Sequence, residues 1–111
     1  MFERARTGAV NILRGNDPIN LQQVQPLVDL FDQCLMAGQP LVVLDLEKVP
    51  LIDSAGLELL LDCQDRCLAR GGVMKLAAPN PLCRDILTVS DVASRFEVHQ
   101  DSLSAVGSFA Q

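Results

Sequence analysis

The sequence predicts a single α/β domain over residues 1–111, built from a small mixed β-sheet of about four to five strands packed with about four helices. Short β-branched and leucine-rich runs alternate along the chain with longer segments whose apolar residues recur at helical spacing. Turn-forming Gly, Pro and Asn residues separate these segments. The chain has 111 residues, 49% of them apolar, which suffices for one core without metal or disulfide support.

The first predicted elements are a strand and a helix. Ala9 to Leu13 is a short apolar run that leads into a cluster of turn residues at positions 14–18. The next apolar residues follow helical spacing, and we place this helix at about Pro26 to Ala37, since proline is best tolerated in a first turn. Asn20 with Gln23 resembles a capping box, but Pro26 would interrupt a helix that began so early.

The middle of the chain predicts a central strand followed by the longest helix. Leu41 to Leu46 is a run of leucine and valine broken only by Asp45, as expected of a strand covered on both faces. A loop and the segment Asp53-Ser54-Ala55-Gly56 follow, after which leucines and cysteines recur at helical spacing. Gly71-Gly72 ends this pattern.

Three further elements complete the predicted sheet and its helices. Val73 to Ala77 is expected to form a strand, and Asn80 with Pro81 is a suitable N-cap and first residue for a short helix. Phe96 to His99 is expected to be an edge strand. A weakly amphipathic helix should begin at Asp101 or Ser102 and carry Leu103, Val106 and Phe109 on one stripe.

Composition and charge argue for a protein partner. The chain has 14 acidic and 9 basic residues, a net charge of −5, and a negative surface repels nucleic acid and anionic lipid alike. It has four Phe and no Tyr or Trp, so aromatic platforms for stacking bases are scarce. We therefore expect no nucleic-acid ligand.

No apolar run is long enough to span a bilayer, and the N-terminal segment does not read as a signal peptide, so we expect a soluble, cytoplasmic protein without membrane insertion. Cys34, Cys63, Cys67 and Cys83 form no Cys-x-x-Cys pair, and His99 is the only histidine. We therefore expect no metal and no cofactor. Cys63 and Cys67 should share a helix face and pack as small apolar side chains.

The Asp53-Ser54 turn is the candidate functional site, because it places one hydroxyl at the start of a helix. A phosphate on Ser54 would add roughly 1.5 to 2 negative charges, which a helix N-terminus accommodates. Gly56 should leave the first turn bare, so that a partner approaches the backbone. The simpler alternative is that Asp53 and Ser54 only cap the helix. Asp45 lacks a neighbouring nucleophile and base, so we do not expect an enzyme.

The order of these motifs resembles the STAS domain of bacterial anti-sigma factor antagonists. The matching pattern is Asp45-Leu46, then Leu51-Ile52-Asp53-Ser54-Ala55-Gly56-Leu57, a leucine-rich helix, Gly71-Gly72, a strand and Asn80-Pro81. The resemblance implies that a partner anti-sigma factor kinase binds residues Asp53, Ser54, Ala55, Gly56 and Leu57 and phosphorylates Ser54. Phosphorylation would then end the interaction, and the unmodified protein would free a sigma factor.

The resemblance also leaves alternatives open. STAS-like domains occur as unphosphorylated subunits that brace the ATPase of a lipid-transport system, or within signalling assemblies. The loop from Gly15 to Asn20 is longer than the family's turn, so partner contacts there do not carry over. Ala55 replaces the second serine of a common pair, which leaves Ser54 as the sole hydroxyl. A homodimer through Phe109 and the apolar stripe of the tail is also open.

Overall fold

In a computed structural model, residues 1–36 and 38–110 are described and form one α/β unit. The strands are β1 (Phe2–Thr7), β2 (Val10–Gly15), β3 (Leu41–Asp45), β4 (Val73–Ala77) and β5 (Val98–His99). The helices are α1 (Leu21–Cys34), α2 (Ser54–Ala69), α3 (Pro81–Val89) and α4 (Ser102–Ser108), with a short 3₁₀ helix at Val92–Arg95 between α3 and β5.

The strands form one sheet in the order β1-β2-β3-β4-β5. Strand β1 runs antiparallel to β2, and the remaining neighbours are parallel. Each parallel connection contains a helix, which brings the N-termini of α1, α2 and α3 to the carboxyl edge of the sheet. The predicted mixed sheet of four to five strands with four helices is confirmed, and β3 is its central strand.

The two faces of the sheet have separate cores. Helices α1, α2 and α3 cover one face, where Phe31 of α1 and Leu60 of α2 pack with Leu44 and Leu76 from the central strands. Helix α4 covers part of the other face through Ala105, which packs with Ile12, Val43 and Ala77. Because β3 is buried on both faces, its apolar sequence from Leu41 to Leu44 follows directly from the layer arrangement.

Two features of the N-terminal third differ from the sequence prediction. Strand β1 was not predicted, since only Phe2 of its six residues is buried and an exposed edge strand shows no apolar alternation. Helix α1 begins at Leu21, not at Pro26, and Asn20 is its N-cap, accepting a hydrogen bond from the Gln22 N–H at 3.1 Å. Pro26 lies on an exposed face, where the loss of one helical hydrogen bond leaves a solvated carbonyl. The predicted end at Ala37 lies outside the described residues.

The C-terminal elements are shorter than predicted. The predicted edge strand from Phe96 is reduced to Val98–His99, and Phe96 is instead the C-cap of an unpredicted 3₁₀ helix at Val92–Arg95. Helix α4 begins at Ser102 as expected, with Asp101 as its cap. Its buried residue is Ala105, whereas Leu103 is 84% exposed, so the predicted stripe is wrong at Leu103. Phe109 is half-buried and packs against the core on the protein's own sheet, which was one of the two arrangements left open for it.

Candidate functional site

The candidate site is the turn that joins β3 to α2 at the carboxyl edge of the sheet. Asp53 has extended backbone angles and is the N-cap of α2. Its carboxylate Oδ1 accepts a hydrogen bond from the Gly56 N–H at 2.9 Å, and its carbonyl accepts one from the Leu57 N–H at 2.9 Å. The capping role predicted for Asp53 is confirmed, and it fixes the backbone on which Ser54 is presented.

Ser54 is the first residue of α2, and its side chain is exposed. Within the part of the chain that the structure describes, its hydroxyl makes no hydrogen bond, so it does not share the capping role of Asp53. The N–H groups of the first helical turn lie beside this hydroxyl, and the positive end of the helix dipole favours an anion at this position. The turn therefore presents a free hydroxyl that is chemically suited to phosphorylation.

The loop after β2 holds this turn in place. The Asp53 N–H donates to the Ile19 carbonyl at 3.1 Å, and the Ile19 N–H donates to the Leu51 carbonyl at 3.0 Å. Ile19 and Ile52 form an isolated parallel bridge, and both side chains are buried. Ile19 was not predicted to take part in the site, although an apolar β-branched residue in this loop was a signal that the loop is anchored.

Gly56 is required by packing within the protein. A Cβ atom at this position would lie 2.2 Å from the carbonyl oxygen of Ile19 and 2.9 Å from side-chain atoms of both Ile19 and Ile52. The glycine was predicted to allow a partner to approach the backbone. That reason is wrong, because the bare face of Gly56 is buried against the Ile19 loop.

The surface next to Ser54 is partly apolar and strongly acidic. Ala55 and Leu57 are half-buried, and Leu57 packs against the edge of the core. Leu51, immediately before the turn, remains 39% exposed. Glu58 lies one helical turn after Ser54, and its exposed side chain forms no ion pair among the described residues. Asp53, Ser54, Ala55 and Leu57 therefore offer one continuous surface, whereas Gly56 lies beneath it.

Asp45 has structural hydrogen bonds. Its carboxylate accepts from the Glu47 N–H at 3.0 Å through Oδ1 and from the Ser102 hydroxyl at 3.3 Å through Oδ2. These contacts fix the end of β3 and the start of α4.

The cysteines pack inside the protein. All four thiols are free and buried. Burial raises the pKa of Cys63 and of Cys67 to about 12, which agrees with the predicted apolar packing of this pair. Among residues 1–36 and 38–110, no group of three His, Cys, Asp or Glu side chains is arranged to hold a metal ion. Within the same ranges, the helices are too short or too polar to cross a bilayer.

Solved structures with the same fold come from regulators and from a transporter family. A Thermotoga maritima protein assigned as an anti-sigma factor antagonist superimposes with a TM-score of 0.91 at 22% identity, over 99% of this chain and 95% of that one. A sulfate transporter family protein from Wolinella succinogenes gives a TM-score of 0.80 at 20% identity, over 93% of this chain and 86% of that one. These similarities establish the fold.

The anti-sigma factor antagonist SpoIIAA also shares the fold. Its unphosphorylated form gives a TM-score of 0.82 at 16% identity, over 99% of this chain and 96% of that one. The phosphorylated form of SpoIIAA from Bacillus gives a TM-score of 0.63 at 15% identity, over 98% of this chain and 99% of that one.

Sequence comparison gives the family. No curated protein sequence matches this chain significantly. The profile of the family described as "STAS domain" matches residues 2–105, which include β1 and the start of α4 as well as the Ser54 turn. The chain therefore belongs to the STAS domain family.

Proposed function

We propose that this protein is an anti-sigma factor antagonist whose binding is switched by phosphorylation of Ser54. The observation that carries the proposal is the exposed Ser54 hydroxyl, free of hydrogen bonds in the described part of the chain, on a turn whose backbone is fixed by Asp53 and Ile19. Structural relatives named as anti-sigma factor antagonists, one of them in a phosphorylated form, support this choice among STAS functions.

In the unphosphorylated state, the surface formed by Asp53, Ser54, Ala55 and Leu57, together with the exposed face of α2, binds an anti-sigma factor that is also a serine kinase. Gly56 contributes by keeping the turn seated on the Ile19 loop. Binding occupies the anti-sigma factor and frees a sigma factor. The role requires no catalysis and no cofactor from this chain, and the exchange takes place in the cytoplasm.

Phosphorylation of Ser54 ends binding through electrostatics at the interface. The phosphate lies close to the carboxylates of Asp53 and Glu58. A partner surface that accepted one or two negative charges therefore meets a concentrated anionic patch. Like-charge contacts across an interface cost several kcal/mol, and about 1.4 kcal/mol changes affinity tenfold. The free protein tolerates the same phosphate, because the N-terminus of α2 stabilises it. The modification therefore weakens the complex without unfolding the antagonist.

The test is affinity purification from the native cell, followed by mass spectrometry, with the wild type, Ser54→Ala and Ser54→Asp as baits. Ser104→Asp is the matched control, because Ser104 is exposed in the first turn of α4, on the other face of the sheet. We expect a kinase-like anti-sigma factor with the wild type, Ser54→Ala and Ser104→Asp, but not with Ser54→Asp. Equal recovery by all four baits would contradict the switch.

A second candidate is a constitutive subunit that binds through the same turn without phosphorylation, for example one that braces a transporter ATPase. The same fold occurs in a sulfate transporter family protein, which makes a subunit of a transport system the second candidate. A phosphate-affinity gel of protein from growing cells separates the two functions. The switch predicts a retarded band that Ser54→Ala removes, whereas a constitutive subunit gives a single band in both strains.

A further inference from the structure

A cavity lies at the opposite end of α1 from the Ser54 turn. It has a volume of about 410 Å³ and is lined by Arg4, Arg6, Asn11, Gln33, Cys34 and Met36. The floor is formed by β1 and β2, where Arg6 pairs in register with Asn11, and one wall is the last turn of α1. Helix α1 has 14 residues, so about 20 Å separate this cavity from the carboxyl edge of the sheet.

The cavity is positively charged in an acidic protein. Arg4 and Arg6 are its only ionisable residues besides the Cys34 thiol, and neither arginine forms an ion pair with another described residue. Burial raises the pKa of Cys34 to about 11, while the charges of Arg4 and Arg6 act in the opposite direction. Both guanidinium groups therefore lie within electrostatic range of the thiol. The lining carries two positive charges and no carboxylate, against a net charge of −5 for the chain.

Arg4 is held in position by amide oxygens. Its NH1 group donates to Asn11 Oδ1 at 2.8 Å, and its Nε donates to Gln33 Oε1 at 3.2 Å. Neutral acceptors fix the guanidinium without neutralising it, and further N–H groups of Arg4 and Arg6 remain available. This arrangement leaves both charges free for an anion.

Asn11 supplies an additional unused donor. Its side chain is 93% buried, since only 7% is exposed, and its Oδ1 is taken by Arg4. The amide nitrogen Nδ2 has no partner among the described residues. In the described part of the chain, every side-chain nitrogen or oxygen that is fully shielded from solvent has a hydrogen-bond partner. Because Nδ2 has none, it is not fully shielded and must open onto the cavity. A ligand or a water molecule in the cavity can therefore accept its hydrogen bond.

The end of α1 does not account for the two arginines. Carbonyl groups at a helix C-terminus attract cations, but Arg70, the C-cap of α2, already donates to the Leu35 carbonyl at 2.9 Å. The Cys34 thiol donates to the Leu30 carbonyl at 3.6 Å. Arg6 therefore has no hydrogen-bond partner within the described residues, although it faces the cavity together with Arg4.

We propose that this cavity binds a small organic anion, with a carboxylate or phosphate group on Arg4, Arg6 and Asn11 and a short apolar tail against Cys34 and Met36. Guanidinium groups bind both types of oxyanion through paired N–H donors. The thiol and the thioether provide the less polar side of the cavity. Because the cavity and Ser54 lie at opposite ends of α1, the site is independent of the proposed phosphorylation switch.

The experiment is a titration of the ¹⁵N-labelled full chain at constant chloride concentration, followed by the backbone signals of 4–11 and the arginine Nε–H signals. Butyrate and butyl phosphate are the probes, and butan-1-ol is the control that has a tail but no charge. Arg6→Gln removes one charge, and Asn11→Asp replaces the free donor by a carboxylate of the same size. Arg14→Gln is the matched control, since Arg14 lies on the opposite face of the sheet.

We expect saturable shifts of the Arg4, Arg6 and Asn11 signals with at least one of the two anions, and the tighter probe identifies the headgroup. Arg6→Gln and Asn11→Asp should each weaken binding about tenfold or more, whereas Arg14→Gln and Ser54→Asp should leave it unchanged. Equal shifts with butan-1-ol, equal affinities of Arg6→Gln and Arg14→Gln, or no saturation would overturn the proposal. Arg6 is exposed, so its variant remains informative if Asn11→Asp does not fold.

Discussion

The backbone N–H of Asp53 donates to the carbonyl of Ile19 at 3.1 Å, and this bond joins two segments that are more than thirty residues apart in sequence. Asp53 caps α2, and Ile19 immediately precedes Asn20, the cap of α1. The starts of both helices are therefore fixed to each other at the carboxyl edge of the sheet. A partner that docks on the Ser54 turn meets a surface whose backbone geometry is set by the loop after β2.

Gly56→Ala should test how closely these two segments pack. The added Cβ would lie 2.2 Å from the Ile19 carbonyl oxygen, so the backbone must move. We expect the free energy of unfolding to fall by about 1–3 kcal/mol, as is typical of overpacking. Urea unfolding followed by circular dichroism measures this change.

Gly107→Ala is the matched control, because Gly107 lies inside α4 and a Cβ there would have no neighbour within 4 Å. Alanine has the higher helix propensity, so this variant should be more stable than the wild type by about 0.5–1 kcal/mol. If both variants change stability in the same direction, the close approach of Gly56 to Ile19 is not what requires glycine.

Much of the fold followed from the sequence because its central strands are buried on both faces. The leucine and valine run at Leu41–Leu46, broken only by Asp45, predicted a central strand, and β3 occupies that position. Strand β1 could not be found in this way, since an edge strand with polar side chains is specified by its pairing with β2. The start of α1 was misplaced because the cap at Asn20 outweighs Pro26.

A negative charge at residue 54 should leave the fold intact. The N-terminus of α2 favours the charge by about 0.3–1 kcal/mol, but Glu58, four residues later, opposes it by about 0.2–0.5 kcal/mol. Ser54→Glu and Ser54→Gln have side chains of equal length, so their difference in unfolding free energy isolates the charge. We expect this difference to be below about 0.5 kcal/mol at low salt.

The same pair of variants in a Glu58→Gln background should separate the two contributions. Without the Glu58 carboxylate, Ser54→Glu should become the more stable variant of the pair, and about 1 M salt should reduce the advantage. A Ser54→Glu protein that is unfolded, or destabilised by several kcal/mol, would contradict the expectation that phosphorylation acts on binding alone.

The candidate site could be predicted from the sequence only where the role of a residue depends on its own side chain and its near neighbours in the chain. The Asp-Ser pair before a helical pattern located the cap and the exposed hydroxyl, and both are present in the structure. The contribution of Ile19 depends on a contact between distant segments, which local patterns do not encode. The role of Gly56 was misassigned for the same reason, since its close neighbour is the Ile19 carbonyl.

Glu97 should make the stability of the protein depend on acid pH. Burial raises the pKa of Glu97, but the hydrogen bond and charge of Lys75, followed by those of His99, lower it below its ordinary value overall. Lys75 Nζ lies 3.3 Å from the Glu97 carboxylate and 2.7 Å from Ser108 of the α4 helix. The stabilisation is therefore complete above the ordinary glutamate pKa and is lost as pH falls through the lower pKa of the folded state.

Glu97→Gln tests this dependence. Between about pH 5 and pH 3, the free energy of unfolding should fall less steeply for Glu97→Gln than for the wild type. Glu58→Gln is the control, because Glu58 forms no ion pair in the described part of the chain, and its slope should match the wild type. Identical slopes for all three proteins would show that the ion pair with Lys75 does not persist in solution.

The buried thiols should be unreactive while the protein is folded. Burial raises the pKa of Cys63 and Cys67 to about 12 and that of Cys34 to about 11, and burial raises the pKa of Cys83 as well. Thiol reagents attack the thiolate, so at about pH 8 the folded protein presents almost none. Titration with a chromogenic disulfide should give four reactive thiols in denaturant and a slow reaction limited by opening of the fold without it. A fast phase from one thiol in the folded protein would identify Cys34, which lines the cavity with Arg4 and Arg6, as accessible. Fast reaction of Cys63 or Cys67 would contradict their place in the core between α2 and the sheet.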